Sequence, residues 1–213
     1  MHKQKNNIFN KKVYFIGISM TQAAASDTGI AVLDKNMELL RVDKVYNMDD
    51  IKQYINNLTC KQNSIICVDL PKQSGNLNGK WRIESKYNKA FNLNDEYNSE
   101  QDWTERFCER GSDLCQSLKD TGYDVFRYNC YFTKNILNIS PPYKHRSPAA
   151  CKYLQMILKN QLNIEGIPSN MIPLSGLDAI IGAYTARAMA YGHENKTYKI
   201  IGDYKQLPVI SAI

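Results

Sequence analysis

The sequence has only three histidines, and its six cysteines include no CxxC pair. No histidine stands at zinc-ligand spacing from a cysteine, which argues against a zinc site. No apolar segment is long enough to span a membrane, and none follows the N-terminal charges as the apolar region of a signal peptide does. We therefore expect reduced, structural cysteines, no membrane partner and a cytoplasmic location.

The composition is that of a globular protein. Of the 213 residues, 43% are hydrophobic and 23% are charged, which suits one α/β domain with a substantial core. The formal net charge of +6 favours polyanionic partners, although weakly. Lys3, Lys5, Lys11 and Lys12 predict a basic flexible tail over residues 1–12, followed by a single domain over 13–213.

The order of the predicted elements indicates the fold class. Short β-rich stretches joined by short connections predict an antiparallel meander, and the next strand is almost wholly apolar, as in a strand buried on both faces. The predicted strands are 13–19, 28–33, 38–46, 64–70 and 123–128; the predicted helices are 49–58, 103–121, 148–162 and 175–191, with a short element at 132–139. Residues 198–201 and 207–210 are either terminal strands or an ordered tail.

Three antiparallel strands that continue into βαβ crossovers are typical of an RNase H-like fold. That fold has a mixed five-stranded sheet with helices on both faces. A Rossmann or flavodoxin-like sheet would alternate strand and helix from its start. Residues 72–102 show no regular spacing of apolar residues. We interpret them as a polar insertion that forms either a lid or a mobile loop.

Two aspartates lie where an α/β sheet places a ligand site. Asp69 ends the apolar strand, and open sheets bind ligands just outside that end of their strands. Asp178 lies in the first turn of the most apolar predicted helix, three residues after Ser175. Structural roles stay open for both residues, since Asp69 can accept backbone N–H bonds before Pro71 and Ser175-x-x-Asp178 has capping-box spacing.

Several short stretches resemble a family of uncharacterised predicted RuvC/RNase H-like nucleases. The stretches are FIGI at 15–18, TGIAVLD at 28–34, ICVDLP at 66–71, GLDAIIGAYTA at 176–186, and IGD at 201–203 with Pro208. The resemblance runs over nearly the whole chain. It implies metal-dependent phosphodiester hydrolysis of nucleic acid, with acids on the first strand, the buried strand and the late helix.

This chain matches only part of that pattern. Asp69 and Asp178 match two of the implied catalytic acids, and with Mg²⁺ or Mn²⁺ they would be its ligands. The acid on the first strand is replaced by Ser19, a vestigial position, and the stretch FRYN at 126–129 has no acid where the family tends to carry a glutamate. Asp27 is either a substitute metal ligand or a plain turn residue. The carboxylate site is therefore predicted to be incomplete.

The predicted insertion mixes basic and aromatic residues. We expect Lys72, Lys80, Trp81, Arg82, Lys86 and Lys89 to bind nucleic acid through phosphate contacts and base stacking, with a plain solvated loop as the alternative. Lys144 and Arg146 form a second basic spot.

Three functions remain open from the sequence. They are a metal-dependent nuclease with an incomplete site, a catalytically inactive relative that binds nucleic acid or protein, and a phosphate-handling enzyme of the actin/sugar-kinase type. The last is weakest, because neither GxGxxG nor GKS/T occurs.

Overall fold

A computed structural model describes residues 13–20, 27–58, 63–69, 99–144, 147–192, 196–204 and 207–213, with the backbone alone at 99–109, 201–204 and 207–209. Its strands are β1 (Tyr14–Ser19), β2 (Thr28–Asp34), β3 (Leu39–Val45), β4 (Ser64–Asp69), β5 (Asp124–Tyr128), β6 (Tyr198–Tyr204) and β7 (Leu207–Ala212). Its helices are α1 (Met48–Leu58), α2 (Ser99–Asp120), α3 (Cys130–Ile136), α4 (Pro148–Asn160) and α5 (Leu174–Tyr191).

All seven strands form one mixed sheet in the order β3-β2-β1-β4-β5-β7-β6. The first three strands pair antiparallel. Strands β1, β4, β5 and β7 pair parallel to one another in that order, and β6 pairs antiparallel to β7. The predicted α/β class and the initial meander are therefore confirmed, and β1 pairs parallel with β4, as strands joined by a crossover do. The expected five strands are too few, because 198–204 and 207–212 extend the sheet beyond β5.

Helices cover both faces of this sheet, as predicted. On one face, the alternating residues Phe15, Ile65 and Cys67 pack against apolar residues of α4 and α5. On the other face, Ile16 and Ile66 pack against apolar residues of α1 and α2. Successive side chains of a strand point to opposite faces, so the apolar runs of β1 and β4 supply both cores at once.

Helix α5 lies directly against the backbone of β1 and β2. A Cβ atom on Gly17 would lie 1.8 Å from the carbonyl oxygen of Ala179, and one on Gly29 would lie 2.0 Å from that of Ser175. Only glycine allows two backbones to approach this closely. Since the helix is also mostly buried, its position over the ends of β1 and β4 is fixed by backbone contact as well as by side-chain packing.

Two of the boundaries that differ from the sequence-based predictions bear on the insertion and the site. Helix α2 begins at Ser99, so residues 99–102 belong to a helix and not to the polar insertion. Helix α5 begins at Leu174 after Pro173, which has no side-chain cap hydrogen bond. Ser175 lies inside the helix, so the predicted capping box does not form and Asp178 lies beyond the first turn.

Within the described part of the chain, no helix is long and apolar enough to cross a membrane.

Candidate functional site

Three polar or ionisable residues line up across neighbouring strands at the carboxyl ends of β1, β4 and β5. Ser19 pairs with Asp69 in the parallel register, and Asp69 pairs with Tyr128. Directly paired residues share a face, and neighbouring strands lie roughly 4.8 Å apart. This row therefore lies on the face that α5 covers. Ser19, the position where the resemblance implies an acid, is buried next to Asp69 in the sheet.

Asp178 reaches the same place from above the sheet. The hydroxyl of Tyr128 donates a hydrogen bond of 2.5 Å to the backbone carbonyl oxygen of Asp178. The ring of Tyr128 lies against Gly182, where a Cβ would come within 2.7 Å of it. These contacts of Tyr128 on β5 hold α5 in position over the sheet. They place the Asp178 carboxylate close enough to the Asp69 carboxylate for the two charges to interact.

A lysine that the sequence analysis did not single out occupies the space beside these carboxylates. Lys134 Nζ lies 2.6 Å from Asp178 Oδ1; Lys134 is buried and Asp178 mostly so, with 11% and 15% of their side-chain surface exposed. At this distance the ammonium and the carboxylate form an ion pair. Burial lowers the pKa of Lys134, but the charge of Asp178, together with smaller contributions from a hydrogen bond to Asp178 and from Cys130 and Asp69, outweighs burial and holds the pKa above its ordinary value.

The short helix α3 positions Lys134. Asn129 caps the helix by accepting a hydrogen bond from the N–H of Phe132 at 2.9 Å. The N–H of Cys130 donates to Asp69 Oδ1 at 3.2 Å, which ties the start of the helix to the end of β4. Lys134 lies one turn after Cys130 and so projects toward the same carboxylates.

The environment of Asp69 favours its neutral form. Protein atoms surround the carboxylate even though part of the residue is exposed at the strand end. Desolvation, followed by the charge of Asp178, raises the pKa of Asp69 to about 7. The Cys130 N–H and the charges of Lys134 and Arg127 act in the opposite direction but are weaker. Asp69 therefore loses its proton near neutral pH.

Arg127 is a second buried cation near the site. It pairs with Val68 and so points to the opposite face of the sheet from Asp69, with 2% of its surface exposed. Its charge nevertheless acts on Asp69 in the direction that lowers the pKa. The stretch in which the resembling family tends to carry a glutamate thus contributes a positive charge here.

Asp27 has other partners. Its Oδ2 lies 2.9 Å from Lys44 Nζ and accepts a hydrogen bond of 3.2 Å from the hydroxyl of Ser175. Although desolvation opposes it, the hydrogen bond and charge of Lys44 lower the pKa of Asp27. These contacts tie the residue before β2 to β3 and to α5, which is a structural role, and Asp27 as a metal ligand stays a prediction.

The side chains present do not fit the Mg²⁺ or Mn²⁺ site that the resemblance implies. Two carboxylates converge, but the ammonium of Lys134 lies where a cation bound to Asp178 would lie. Among the side chains that the structure describes, no group of three or more His, Cys, Asp and Glu residues is arranged to hold a metal ion. Hard divalent cations need several oxygen ligands, and here the positive charge is supplied by the protein.

The titration of Asp69 gives a testable pH dependence. A carboxyl whose pKa is raised on folding contributes stability below its ordinary pKa of 3.8, and this is lost as the pH rises through about 7. We expect Asp69→Asn to abolish this loss, on the order of 2–3 kcal/mol between about pH 5 and pH 8. Urea unfolding at several pH values measures it, with the exposed Asp113→Asn as the control. Parallel pH profiles for wild type and Asp69→Asn would contradict the raised pKa.

The predicted nucleic-acid-binding residues Lys72, Lys80, Trp81, Arg82, Lys86 and Lys89 lie outside the described residues, as does the predicted tail at 1–12. The residues that the sequence analysis missed are Lys134 and Arg127. The available signal was the basic character of the stretch after β5, which has no acid from 125 to 164.

No protein-family model matches the sequence, and no curated protein matches it significantly.

Proposed function

We propose that this chain is an RNase H-like module that binds nucleic acid and whose carboxylate site holds a lysine ammonium in place of a divalent metal ion. Two features support the RNase H-like part of the proposal. The strand order has an antiparallel meander that leads into parallel strands, and the chain shares short stretches of sequence with the resembling family. The net charge of +6 and the basic residues of the predicted insertion favour a polyanionic partner.

The ion pair between Lys134 and Asp178 is the observation that supports the metal-independent part of this proposal. Two carboxylates confined together repel each other unless a cation lies between or beside them. In a metal-dependent hydrolase the ion supplies that charge. Here Lys134 supplies it at 2.6 Å from Asp178, so the site can stay folded without a metal ion.

The test uses the purified full-length chain and a fluorescently labelled single-stranded oligonucleotide. We expect binding that is unchanged when EDTA replaces Mg²⁺ or Mn²⁺, and an intact oligonucleotide after long incubation with either ion. The absence of binding at low salt would contradict the proposal. Binding that is lost in EDTA would contradict its metal-independent part.

A metal-dependent nuclease is the second candidate, and the convergence of Asp69 and Asp178 on one face favours it. Its signature would be Mn²⁺-dependent cleavage that disappears in Asp69→Asn. Cleavage that persists in this variant would come from a contaminating enzyme.

A further inference from the structure

The surface of α4 and the segment before it combines exposed aromatic and basic side chains. We define the tyrosine–lysine surface by six residues: Tyr143, Lys144, Lys152, Tyr153, Met156 and Lys159. Lys152, Met156 and Lys159 recur at helical spacing on the exposed side of α4, while Ala150, Leu154 and Leu158 form its buried side. The helix therefore presents a continuous outward stripe next to the two tyrosines.

The charge of this surface is of one sign. No aspartate or glutamate occurs between Asp124 and Glu165, a stretch that contains all six residues of the surface. Lys144, Lys152 and Lys159 are exposed, and none of them is paired with a carboxylate within the part of the chain that the structure describes. Lysines without a carboxylate partner are free to neutralise phosphates.

The two tyrosines give the surface an aromatic platform. The rings of Tyr143 and Tyr153 meet edge to face, with centroids 5.9 Å apart and planes at 70°. Tyr143 is 51% exposed, so much of its ring is open to solvent. The edge-to-face contact holds this ring in place, and a held, exposed ring is suited to stacking with an unpaired base.

Helix α4 lies between this surface and the candidate site. Cys151 lies on the buried side of α4, and the charges of Asp178 and Lys134 both act on its thiol. A strand bound along the outer side of α4 would therefore be separated from the Lys134–Asp178 pair by the width of the helix.

We propose that the tyrosine–lysine surface binds single-stranded nucleic acid, with Tyr143 stacking on a base and the lysines of α4 contacting phosphates. This inference rests on the proposed function and names its binding surface. A single strand is the occupant because its bases are free to stack on a tyrosine, whereas those of a duplex already stack on each other. The inference uses none of the basic residues of the predicted insertion.

Fluorescence anisotropy with a labelled oligothymidine of about 20 nucleotides, longer than the roughly 4–16 nucleotides that one binding fold covers, tests this surface. We expect Tyr143→Leu to weaken binding roughly tenfold and Tyr143→Phe to leave it unchanged, because phenylalanine keeps the stacking ring. Lys152→Gln with Lys159→Gln should reduce the slope of log K against log salt by about 1.4, or 0.7 for each lost phosphate contact. The control is Lys35→Gln with Lys196→Gln, which removes the same charge from exposed positions elsewhere.

The outcomes separate this inference from the proposed function. Wild-type binding that is weakened in Tyr143→Leu and in the α4 lysine variant, but not in Tyr143→Phe or the control, supports the surface. Wild-type binding that is equal in all variants overturns the surface and leaves the proposed function standing. If the wild-type chain binds no oligonucleotide, both fail, and binding of polyglutamate or anionic vesicles to this surface would then identify another class of partner.

Discussion

Replacing Lys134 by methionine is expected to lower the free energy of unfolding by about 3–5 kcal/mol near pH 8, the usual cost of removing one partner of a buried ion pair. Methionine keeps most of the side-chain volume but removes the ammonium, so the Asp178 carboxylate is left buried next to Asp69 without its counter-charge. Urea or thermal unfolding measures the loss. The control is Lys152→Met, the same change at an exposed position of α4, for which we expect a change within about 0.5 kcal/mol.

The stability lost in Lys134→Met should depend on pH and on the residue at position 178. The destabilisation should shrink as the pH falls through about 7, because protonation of Asp69 removes one of the negative charges that Lys134 compensates. The double variant Lys134→Met with Asp178→Leu should recover much of the stability, since buried ion pairs are often replaced by apolar pairs at little net cost. A loss below about 1 kcal/mol in Lys134→Met would show that the ammonium does not neutralise this site.

Gly17→Ala is expected to lower the free energy of unfolding by at least about 3 kcal/mol, the upper end of the range for overpacked cores. The added Cβ would lie 1.8 Å from the carbonyl oxygen of Ala179 and 2.4 Å from the backbone nitrogen of Ala183. These atoms belong to the helix backbone and cannot rotate away as a side chain can. Helix α5 would have to move off the sheet, and Asp178 would move with it.

The matched control for this change is Gly176→Ala on α5 itself. There the nearest atoms to the added Cβ are side-chain methyls of Ile172 and Val42, at 2.8 and 3.0 Å, and no backbone atom lies as close as at Gly17. The helix also gains about 1 kcal/mol of propensity from alanine, which offsets part of the crowding, so we expect a clearly smaller loss than in Gly17→Ala. Equal losses in Gly17→Ala and Gly176→Ala would show that close backbone approach at Gly17 is not what fixes α5.

Much of the site's framework could be predicted from sequence because it follows from local patterns. The apolar stretches that become β1 and β4 are both predicted as strands from the sequence. In the structure their parallel register places Ser19 beside Asp69. Asp178 was predicted to join them because it lies near the start of the most apolar helix, which must pack on the sheet. The capping box that the sequence left open as an alternative does not form, because the helix begins one residue earlier, after Pro173, and the Ser175 hydroxyl donates to Asp27.

Lys134 could not be predicted in the same way. A lysine in a short helix usually extends into solvent, and the packing of α3 against β7 and α5 brings this one to Asp178. The sixth and seventh strands were also uncertain from sequence, because β7 joins β5 through only Arg127 with Val209 and Tyr128 with Ile210. Both features depend on contacts between distant parts of the chain, to which local periodicity is insensitive.

Thermal unfolding of the wild-type chain with and without excess Mn²⁺ tests most directly whether Lys134 takes the place of a metal ion. We expect no stabilisation of wild type by Mn²⁺. The double variant Ser19→Asp with Lys134→Ala should bind Mn²⁺, because it adds a third carboxylate beside Asp69 and removes the competing ammonium. A hundredfold excess over Kd would then contribute about 2.7 kcal/mol. Stabilisation of the wild-type chain by Mn²⁺, lost in Asp69→Asn, would contradict the replacement of the metal by Lys134.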